Sequence, residues 1–344
     1  MTHSIKPDFF LNLAAAGARM PIGTDLVLSE KSDPGAIKRD GLKLGQVTAE
    51  SAHRWRTPLA LPLMDLTVEK EWLLGGLGVP ASEIATWHFE GAVPEALPEA
   101  PLTTRLKANC EAIGYIASNT DLLPCGMSIG PFSLMTKLVA DPISPVFMAG
   151  MDERDEDVER VEKTLELATR VILRTIEAQL DAGAQAIVLC EPAANNVYFS
   201  PNQMDEGADT FDRYVIVHNK RIQELMKSRG AALIFHDCGE LQDEMVQKIV
   251  TLKPAMLSLG SSRQLWEDAR LVPNDIVMYG NLPSKKFYSD DVIPVSEVEA
   301  MGRELLTKMQ ATGHPFILGS ECDVLNVPGS EKTIRDKVSA FLDL

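Results

Sequence analysis

The sequence predicts an α/β fold, a (β/α)8 TIM barrel with an N-terminal extension, and three observations carry this prediction. From about residue 59 onward, short apolar runs alternate with amphipathic stretches, which is the pattern of parallel strands covered by helices. About eight such units in one chain close more readily into a barrel than into an open sheet. None of the early strands is followed by GxGxxG, the glycine-rich turn expected of a doubly wound sheet.

Seven strands are predicted from the apolar runs, at residues 59–64, 123–129, 186–190, 232–236, 255–259, 276–279 and 315–318. An eighth is placed at residues 84–89, a segment that is equally well interpreted as loop. The clearest helix is predicted over residues 158–180, where apolar residues recur at three- and four-residue steps. Acidic residues at 155–157 suit its beginning, and Gly183 suits its end.

The chain is predicted to divide at about residue 55. Residues 1–55 hold scattered glycine and proline and no long periodic segment, so they are expected to form an N-terminal extension packed on the barrel. Residues 56–344 are expected to form the barrel, the catalytic domain. A chain of 344 residues is long for one domain, but α/β barrels reach this length.

Composition and charge argue against several classes of function. With 45% hydrophobic and 24% charged residues, the chain has the composition of a globular protein with a sizeable core. The formal net charge of -16 repels nucleic acids and anionic lipid surfaces, so neither is an expected partner. No apolar run approaches the length that spans a bilayer, and the first residues lack the pattern of a secretory signal, so a cytoplasmic location is expected.

The five cysteines, at positions 110, 125, 190, 238 and 322, form no dense disulfide framework. Reduced thiols are therefore expected, used either as small buried hydrophobes or for metal and thiolate chemistry. Cys125 and Cys190 lie in predicted strands and Cys110 in a helical stretch, which favours core burial for these three.

Two predicted strands end in side chains that zinc favours as ligands. Residues 231–239, AALIFHDCG, form an apolar strand whose alternate side chains share a face, so His236 and Cys238 project together. A second strand end, at residues 316–322, carries Cys322. The carboxyl ends of barrel strands meet at one mouth, so these three residues predict a zinc site with one position open to a substrate. The alternative is a hydrogen-bonded histidine and two packed cysteines.

A zinc site with two thiolates and an open position is electron rich. Such a site is better suited to holding a substrate thiol as a nucleophilic thiolate than to making hydroxide from water. Thiol alkylation is therefore the predicted chemistry, because the thiolate is the nucleophile in such reactions.

Six segments resemble one family when taken in order: LPLMDLTVEKEWLLGGLG at 61–78, SIGPFSLMTKL at 128–138, LDAGAQAIVLCEPAANNVYFSP at 180–201, IFHDCG at 234–239, MYGNLP at 278–283 and FILGSECDVLNVPG at 316–329. On these segments the chain resembles the uroporphyrinogen decarboxylase superfamily, and within it the corrinoid-dependent methyltransferases. The resemblance implies a barrel with zinc bound by His236, Cys238 and Cys322. It also implies that the methyl group comes from methylcobalamin on a partner corrinoid protein and passes to coenzyme M or another thiol.

The resemblance suggests further site residues. Asp65 falls where the decarboxylases place a substrate-binding aspartate, and Glu69 lies one helical turn beyond it; capping or solvated acids are the alternative for both. Glu191 stands where related methyltransferases show an acid before proline, which makes it a candidate catalytic group and fourth zinc ligand. In cobalamin-independent methionine synthase the strand after His-x-Cys supplies a glutamate ligand, but residues 257–262 here offer none.

Four more residues are expected near the cofactor. Tyr198 is expected in the wall where the corrinoid docks, and Asn281 is expected either to line the pocket or to cap a turn. Asp237 and Glu321 flank predicted ligands and are candidates for orienting them.

Two other functions stay open, and the chain is a candidate to form a homodimer. A metal-free decarboxylase of tetrapyrrole side chains would use Asp65, but the strand ends carry few arginines for a polycarboxylate, the nearest being Arg19 and Arg263. A barrel that binds a corrinoid or tetrapyrrole without catalysis is the third hypothesis.

Overall fold

The computed structural model describes residues 5, 6 and 8–344, and within them eight strands form one parallel sheet, which confirms the predicted (β/α)8 barrel. The strands are β1 (Arg19–Ile22), β2 (Leu59–Ala60), β3 (Leu123–Ile129), β4 (Ala186–Cys190), β5 (Ala232–Asp237), β6 (Met256–Leu259), β7 (Val277–Leu282) and β8 (Phe316–Asp323). The first strand pairs with the last, as a ring requires, and the other neighbours are consecutive in sequence.

Helices surround the sheet. In the described residues they are α1 (Phe9–Ala15), α2 (Thr24–Leu28), α3 (Pro34–Ile37), α4 (Gly41–Arg54), α5 (Val68–Gly76), α6 (Thr104–Asn119), α7 (Pro131–Thr136), α8 (Ile143–Gly150), α9 (Glu156–Asp181), α10 (Pro201–Asp205), α11 (Val217–Ser228), α12 (Asp243–Val250), α13 (Leu265–Asp268), α14 (Val295–Thr312) and α15 (Glu331–Leu342). A π-helical segment, Asp212–Ile216, precedes α11, and a 3-10 turn, Ser284–Lys286, follows β7. No helix among these described residues is long and apolar enough to cross a membrane.

The first barrel strand lies inside the predicted N-terminal extension. Residues Arg19–Ile22 pair in parallel with β8, so the predicted start of the barrel at residue 56 is wrong. The strand is four residues long and contains Pro21, and proline weakens a strand pattern because it has no N–H to donate. β1 tolerates the proline because only one of its sides pairs in a ladder, the side facing β8.

The predicted strand at residues 84–89 is wrong. This segment forms turns and irregular chain, and Phe89 is buried against Trp87 in an edge-to-face contact with ring centroids 4.6 Å apart. The clustered aromatic residues Trp87 and Phe89 indicate burial of this segment, not an extended strand. The other seven predicted strands are confirmed, although the first of them is reduced to Leu59–Ala60.

The longest helix, α9, follows the predicted signals. Its N-cap is Asp155, whose Oδ1 accepts hydrogen bonds from the N–H groups of Asp157 (3.0 Å) and Val158 (2.8 Å). The helix ends at Asp181, and Gly183 adopts a positive φ of 108° as the chain turns into β4.

Two apolar layers hold the barrel together. Side chains inside the ring, among them Met20, Val188 and Tyr279, form one cluster, which Phe10 of α1 also joins. A larger cluster fills the space between the strands and the surrounding helices. At the seam between β1 and β2, Thr24 Oγ1 donates to the carbonyl of Leu61 (2.6 Å). The carboxyl ends of all strands therefore face the same mouth, where functional residues of such barrels lie.

Candidate metal centre

β5 brings His236 to the carboxyl end of the sheet. Its register places His236 beside Cys190 of β4 and Ser258 of β6. The imidazole is 1% exposed, and its Nδ1 lies 2.8 Å from the hydroxyl oxygen of Ser258. Paired residues of neighbouring parallel strands point to the same side of a sheet, so β6 fixes the orientation of the ring.

The second ring nitrogen of His236, Nε2, is buried and has no hydrogen-bond partner within the described chain. A buried polar atom without a partner is unfavourable by roughly 1–3 kcal/mol, so proteins rarely leave one without a use. When Nδ1–H donates to Ser258, Nε2 carries the lone pair that a metal ligand needs. This tautomer is the one suited to coordination through Nε2.

Cys238 and Cys322 complete the cluster predicted from the sequence. One ligand atom from each of His236, Cys238 and Cys322 can be chosen so that all three lie within 4.8 Å of one another. Cys238 directly follows β5, and Cys322 is the second-to-last residue of β8. Both thiols are half-buried. One nitrogen and two sulfurs are a donor set that zinc favours, so the residues present fit the ion.

The two thiols affect each other's ionisation. Interaction with the Cys322 thiol, together with a smaller contribution from His236, lowers the pKa of Cys238 despite its burial. The hydrogen-bonding interaction with Cys238, then burial, then repulsion from the charge of a Cys238 thiolate raise the pKa of Cys322. A divalent cation would relieve this repulsion and favour both thiolates.

Lys285, on the 3-10 turn after β7, interacts with both sulfurs of this pair. Burial works against its charge, but Cys238, Glu321 and Cys322 outweigh that effect and raise the pKa of Lys285. The lysine is therefore a fixed positive charge beside the two sulfurs. Met64 contacts the Cys322 thiol, with its Sδ 3.7 Å from Cys322 Sγ.

The loop after β6 passes directly against Cys238. A Cβ on Gly260 would lie 2.8 Å from the carbonyl oxygen of Cys238 and 3.0 Å from its Cα. No larger residue fits without moving one of the two backbones, which is why this strand end offers no ligand.

Glu191, predicted as fourth zinc ligand and catalytic group, does not join the three-residue cluster found in the described chain, and its catalytic role stays a prediction. The carboxylate is fully buried and turned toward α7, where Oε1 accepts from the N–H of Phe132 (3.1 Å) and Oε2 from the N–H of Ser133 (2.8 Å). Asn219 also donates to Oε1 (2.9 Å). Both oxygens are occupied by holding the start of α7, so Glu191 acts as scaffold.

Asp65, the other predicted catalytic residue, lies in the loop between β2 and α5. Its Oδ1 accepts from the hydroxyl of Thr67 (2.7 Å), and its carboxylate pairs with Arg105 of α6. The aspartate therefore ties the residue before α5 to α6, although it is not the N-cap of α5, and its catalytic role stays a prediction.

Glu69 is neither a cap nor a solvated acid, so the alternative to a pocket role given for it from the sequence is wrong. Its side chain is 0% exposed, Oε1 accepts from the hydroxyl of Ser128 (2.8 Å), and Oε2 has no partner within the described chain. Burial raises the pKa of Glu69 to about 7, although the hydrogen bond from Ser128 opposes the shift. It is a carboxyl group able to change protonation near neutral pH.

The two residues predicted to bind the corrinoid have structural contacts. The amide of Asn281 on β7 donates to the carbonyls of Gly260 (2.7 Å) and Arg263 (2.9 Å), so it holds the turn after β6, the second of its two predicted roles. Tyr198 is half-buried in the loop after β4, edge-to-face on Phe132 at 5.6 Å between ring centroids. The structure shows no contact that tests corrinoid binding by either.

The acids that flank the ligands bond to loop backbone. Asp237 is fully buried, and its Oδ1 accepts from the N–H of Gly239 (2.8 Å). Glu321 accepts from the N–H of Ser261 (3.0 Å). Each thus fixes a loop beside the cluster rather than the imidazole, whose orientation depends on Ser258.

Sequence reasoning missed the roles of Ser258, Lys285 and Met64. Ser258 has a weak signal, a hydroxyl near the end of the strand after His-x-Cys, but its register with His236 follows only from strand pairing. Lys285 is the first of two lysines directly after a strand end, which is a usable signal for a cation at the mouth.

The geometry can be set beside known proteins. Residues 37–338 match the sequence profile described as uroporphyrinogen decarboxylase (URO-D), and the chain belongs to this family. No curated protein matches the chain. Among solved structures, a methyltransferase from Methanosarcina mazei aligns with a TM-score of 0.69 at 17% sequence identity, covering 98% of each chain. At that identity the likeness shows the shared fold.

Proposed function

We propose that this chain is a zinc-dependent methyltransferase that moves a methyl group from methylcobalamin, carried by a partner corrinoid protein, to a thiol. The observation that carries the proposal is the buried Nε2 of His236, which lacks a hydrogen-bond partner in the described part of the chain and lies beside two half-buried sulfurs. The fold shared with a Methanosarcina mazei methyltransferase supports the same type of reaction.

His236, Cys238 and Cys322 would hold the ion. Three protein ligands are one fewer than structural zinc sites use, which leaves a position for a substrate. When bound, zinc lowers the pKa of a substrate thiol so that the thiolate exists at neutral pH. Ser258 keeps the imidazole in the orientation and tautomer that this role needs.

Lys285 balances the charge of the loaded site. Two cysteine thiolates and a substrate thiolate carry three negative charges against the two positive charges of the ion. The ammonium of Lys285, beside Cys238 and Cys322, supplies the third positive charge. Its field favours the ionised acceptor over the neutral thiol.

A methylcorrinoid at the mouth would supply the methyl group: a sulfur–carbon bond would form as the cobalt–carbon bond broke with both its electrons left on cobalt. The proton of the acceptor thiol would go to solvent. The role of the barrel is to bring the thiolate to the methyl carbon in line and to keep water away from it. Met64, packed against Cys322, provides an apolar wall on that side.

The face that holds the cluster carries exposed apolar side chains, which favour docking of a partner. Val197, Tyr288 and Leu325 lie on loops that follow β4, β7 and β8, so all three are at the mouth. Tyr198 lies in the first of these loops and belongs to the same proposed surface. A corrinoid protein seated there would bring its cofactor over the two half-buried thiols.

The proposal is tested by metal content together with methyl transfer. Protein purified without chelator is expected to hold about one equivalent of zinc and to demethylate methylcobalamin when one member of a panel of thiols is supplied. His236→Ala and Cys322→Ala are expected to lose both properties. Cys110→Ala removes a half-buried thiol outside the cluster and is the matched control, expected to keep both.

Zinc below about half an equivalent in the wild type, or unchanged zinc in His236→Ala, would remove the basis of the proposal. Zinc binding without demethylation by any thiol would instead favour a barrel that binds without this catalysis.

A tetrapyrrole decarboxylase is the second candidate, favoured by the description of the matched family profile. Its proposed substrate group, Asp65, is engaged by Thr67 and Arg105 rather than free in the mouth. Turnover of uroporphyrinogen that survives Cys322→Ala would establish this function in place of the methyltransferase.

A further inference from the structure

A large cleft lies at the barrel mouth, lined by residues from the loops that follow β2 and β3. It has a volume of about 1020 Å³, and α3, α5, residues 79–88 and the start of α6 bound it. A cleft of this size is large enough for a typical small-molecule ligand. None of the three candidate metal ligands lines it.

The cleft is strongly basic in a chain whose net charge is -16. Lys38, Arg39, Lys70, Arg105 and Lys137 line it, and Glu71 is the one carboxylate among the lining residues that the structure describes. With Asp65, which pairs with Arg105 from the edge, five positive charges meet two negative ones and leave an excess of three.

Most basic side chains of this protein have acidic partners, but those of the cleft largely do not. Among the described residues, Lys38, Arg39, Lys70 and Lys137 form no salt bridge, whereas Arg105 pairs with Asp65 and Glu71. Lys70 is only 6% exposed, and its ammonium has a single acceptor, the carbonyl of Ala85 at 3.2 Å. A buried ammonium can donate three hydrogen bonds, so two remain for a ligand.

The positive charges in the cleft act on each other. Burial lowers the pKa of Lys70, and the charge of Lys137 lowers it further. Burial and then Arg39 do the same to Arg105. A folded protein that holds like charges together in this way is stabilised when an anion binds between them.

Backbone dipoles add to this field. The sixteen-residue helix α6 begins at the cleft, with Thr103 and Thr104 among the lining residues. The N-terminus of a helix carries a partial positive charge and N–H groups that bind anions. Here it points to the same space as Lys70 and Arg105.

We propose that this cleft is a binding site for a small molecule that carries a diphosphate. A phosphate monoester has about 1.5 to 2 negative charges at neutral pH, and a diphosphate comes nearer to the excess of three in the cleft. Compact tetrahedral oxygens also suit lysine ammonium groups and helix N–H groups together. The site does not depend on the proposed methyl transfer or on zinc.

Isothermal titration of the full chain with inorganic pyrophosphate, at constant ionic strength, tests the proposal. One saturable site is expected, with tighter binding than for inorganic phosphate or for tricarballylate, a tricarboxylate of similar charge. Lys70→Met and Lys137→Met are each expected to weaken pyrophosphate binding roughly tenfold or more, because each removes a charged donor. Lys220→Met, an exposed lysine on α11, is the matched control and should leave binding unchanged.

Cys322→Ser separates the cleft from the metal centre. Pyrophosphate binding that persists in this variant supports a separate site, whereas binding lost with it would mean that pyrophosphate was held by the metal centre, and the proposal would fail. Absence of saturable binding, tighter binding of tricarballylate, or equal binding by Lys70→Met, Lys137→Met and Lys220→Met would each overturn it. Thermal unfolding of each variant verifies that it is folded.

Discussion

Glu191 and His236 stand at the ends of neighbouring strands, and both are buried, but their surroundings differ. The N–H of Glu191 donates to the carbonyl of His236 (2.9 Å), so the two residues are in direct backbone contact. Three donors reach the carboxylate of Glu191. Within the described residues, the imidazole of His236 has one partner, Ser258, on Nδ1 and none on Nε2.

This difference separates scaffold from candidate ligand. His236 was predicted as a site residue from its strand and Glu191 from the resemblance, and neither prediction could include the hydrogen bonds of the folded chain. A group whose hydrogen-bonding capacity is filled by the protein is committed to the fold, whereas an unfilled one can accept a ligand without losing a bond. By this criterion Glu69 is like His236 and unlike Glu191, because its Oε2 lacks a partner within the described chain.

The largest expected effect is on the stability of a Glu191→Ala variant. It leaves the N–H groups of Phe132 and Ser133 and the amide of Asn219 without their acceptor, so the free energy of unfolding is expected to fall by about 3–5 kcal/mol. Zinc content of the remaining folded protein should be unchanged. Urea denaturation and metal analysis measure the two quantities.

His236→Ala is the matched variant for Glu191→Ala and is expected to behave in the opposite way. It should lose zinc, with a smaller change in the stability of the metal-free protein. A folded Glu191→Ala protein that lacks zinc would show Glu191 to be a ligand after all, and the criterion would be wrong.

The next effect concerns the pH dependence of stability through Glu69. In the unfolded chain this carboxyl ionises near 4.5, and in the folded protein its pKa is about 7. Between these values the unfolded state binds fewer protons, so stability falls as pH rises; the loss is complete above pH 7 and amounts to about 3 kcal/mol. Glu69→Gln is expected to escape this loss.

Urea denaturation at pH 5 and pH 8 checks this prediction. The difference in unfolding free energy between the two pH values should be smaller in Glu69→Gln than in wild type by most of that amount. Glu83→Gln, an exposed acid before α6, should match the wild type. Identical pH dependence in all three proteins would mean that Glu69 is not a buried acid of raised pKa.

The smallest effect is expected from Ser258→Ala. Without the hydroxyl, Nδ1 of His236 loses its partner and the ring its fixed orientation, so zinc affinity is expected to fall about 10- to 100-fold. Competition with a chromogenic chelator measures this change. Ser262→Ala removes an exposed hydroxyl from the following loop as a control. Equal zinc affinity in both variants would show that Ser258 does not position the ligand.

Much of the fold was predictable because parallel strands and their helices repeat a local pattern. The acidic start of α9 and Gly183 after it were predicted from side-chain chemistry that acts within a few residues. β1 was missed because its four residues include a proline, and only its pairing with β8, almost 300 residues later, makes it a strand. The aromatic segment at 84–89 was mistaken for a strand because burial alone does not define extended structure.

The candidate metal centre was predictable for a similar reason. His236 and Cys238 share a face because they are two residues apart in a strand, and Cys322 joins them because barrel strands end at a common mouth. Lys285 and Met64 were not found, since nothing in their local sequence tells which neighbours they meet. Asp65 and Glu191 were predicted as site residues by resemblance, which does not show the hydrogen bonds that each carboxylate accepts in the folded chain.

The sequence by itself determined the barrel and the three residues of the cluster, because strand periodicity and the common direction of the strands are local properties that repeat along the chain. Tertiary structure alone decided which polar groups keep a free atom, and which lysines and arginines gather in one cleft without acidic partners. The physical reason is that hydrogen-bond satisfaction and charge balance depend on neighbours distant in sequence, which come together only when the sheet closes.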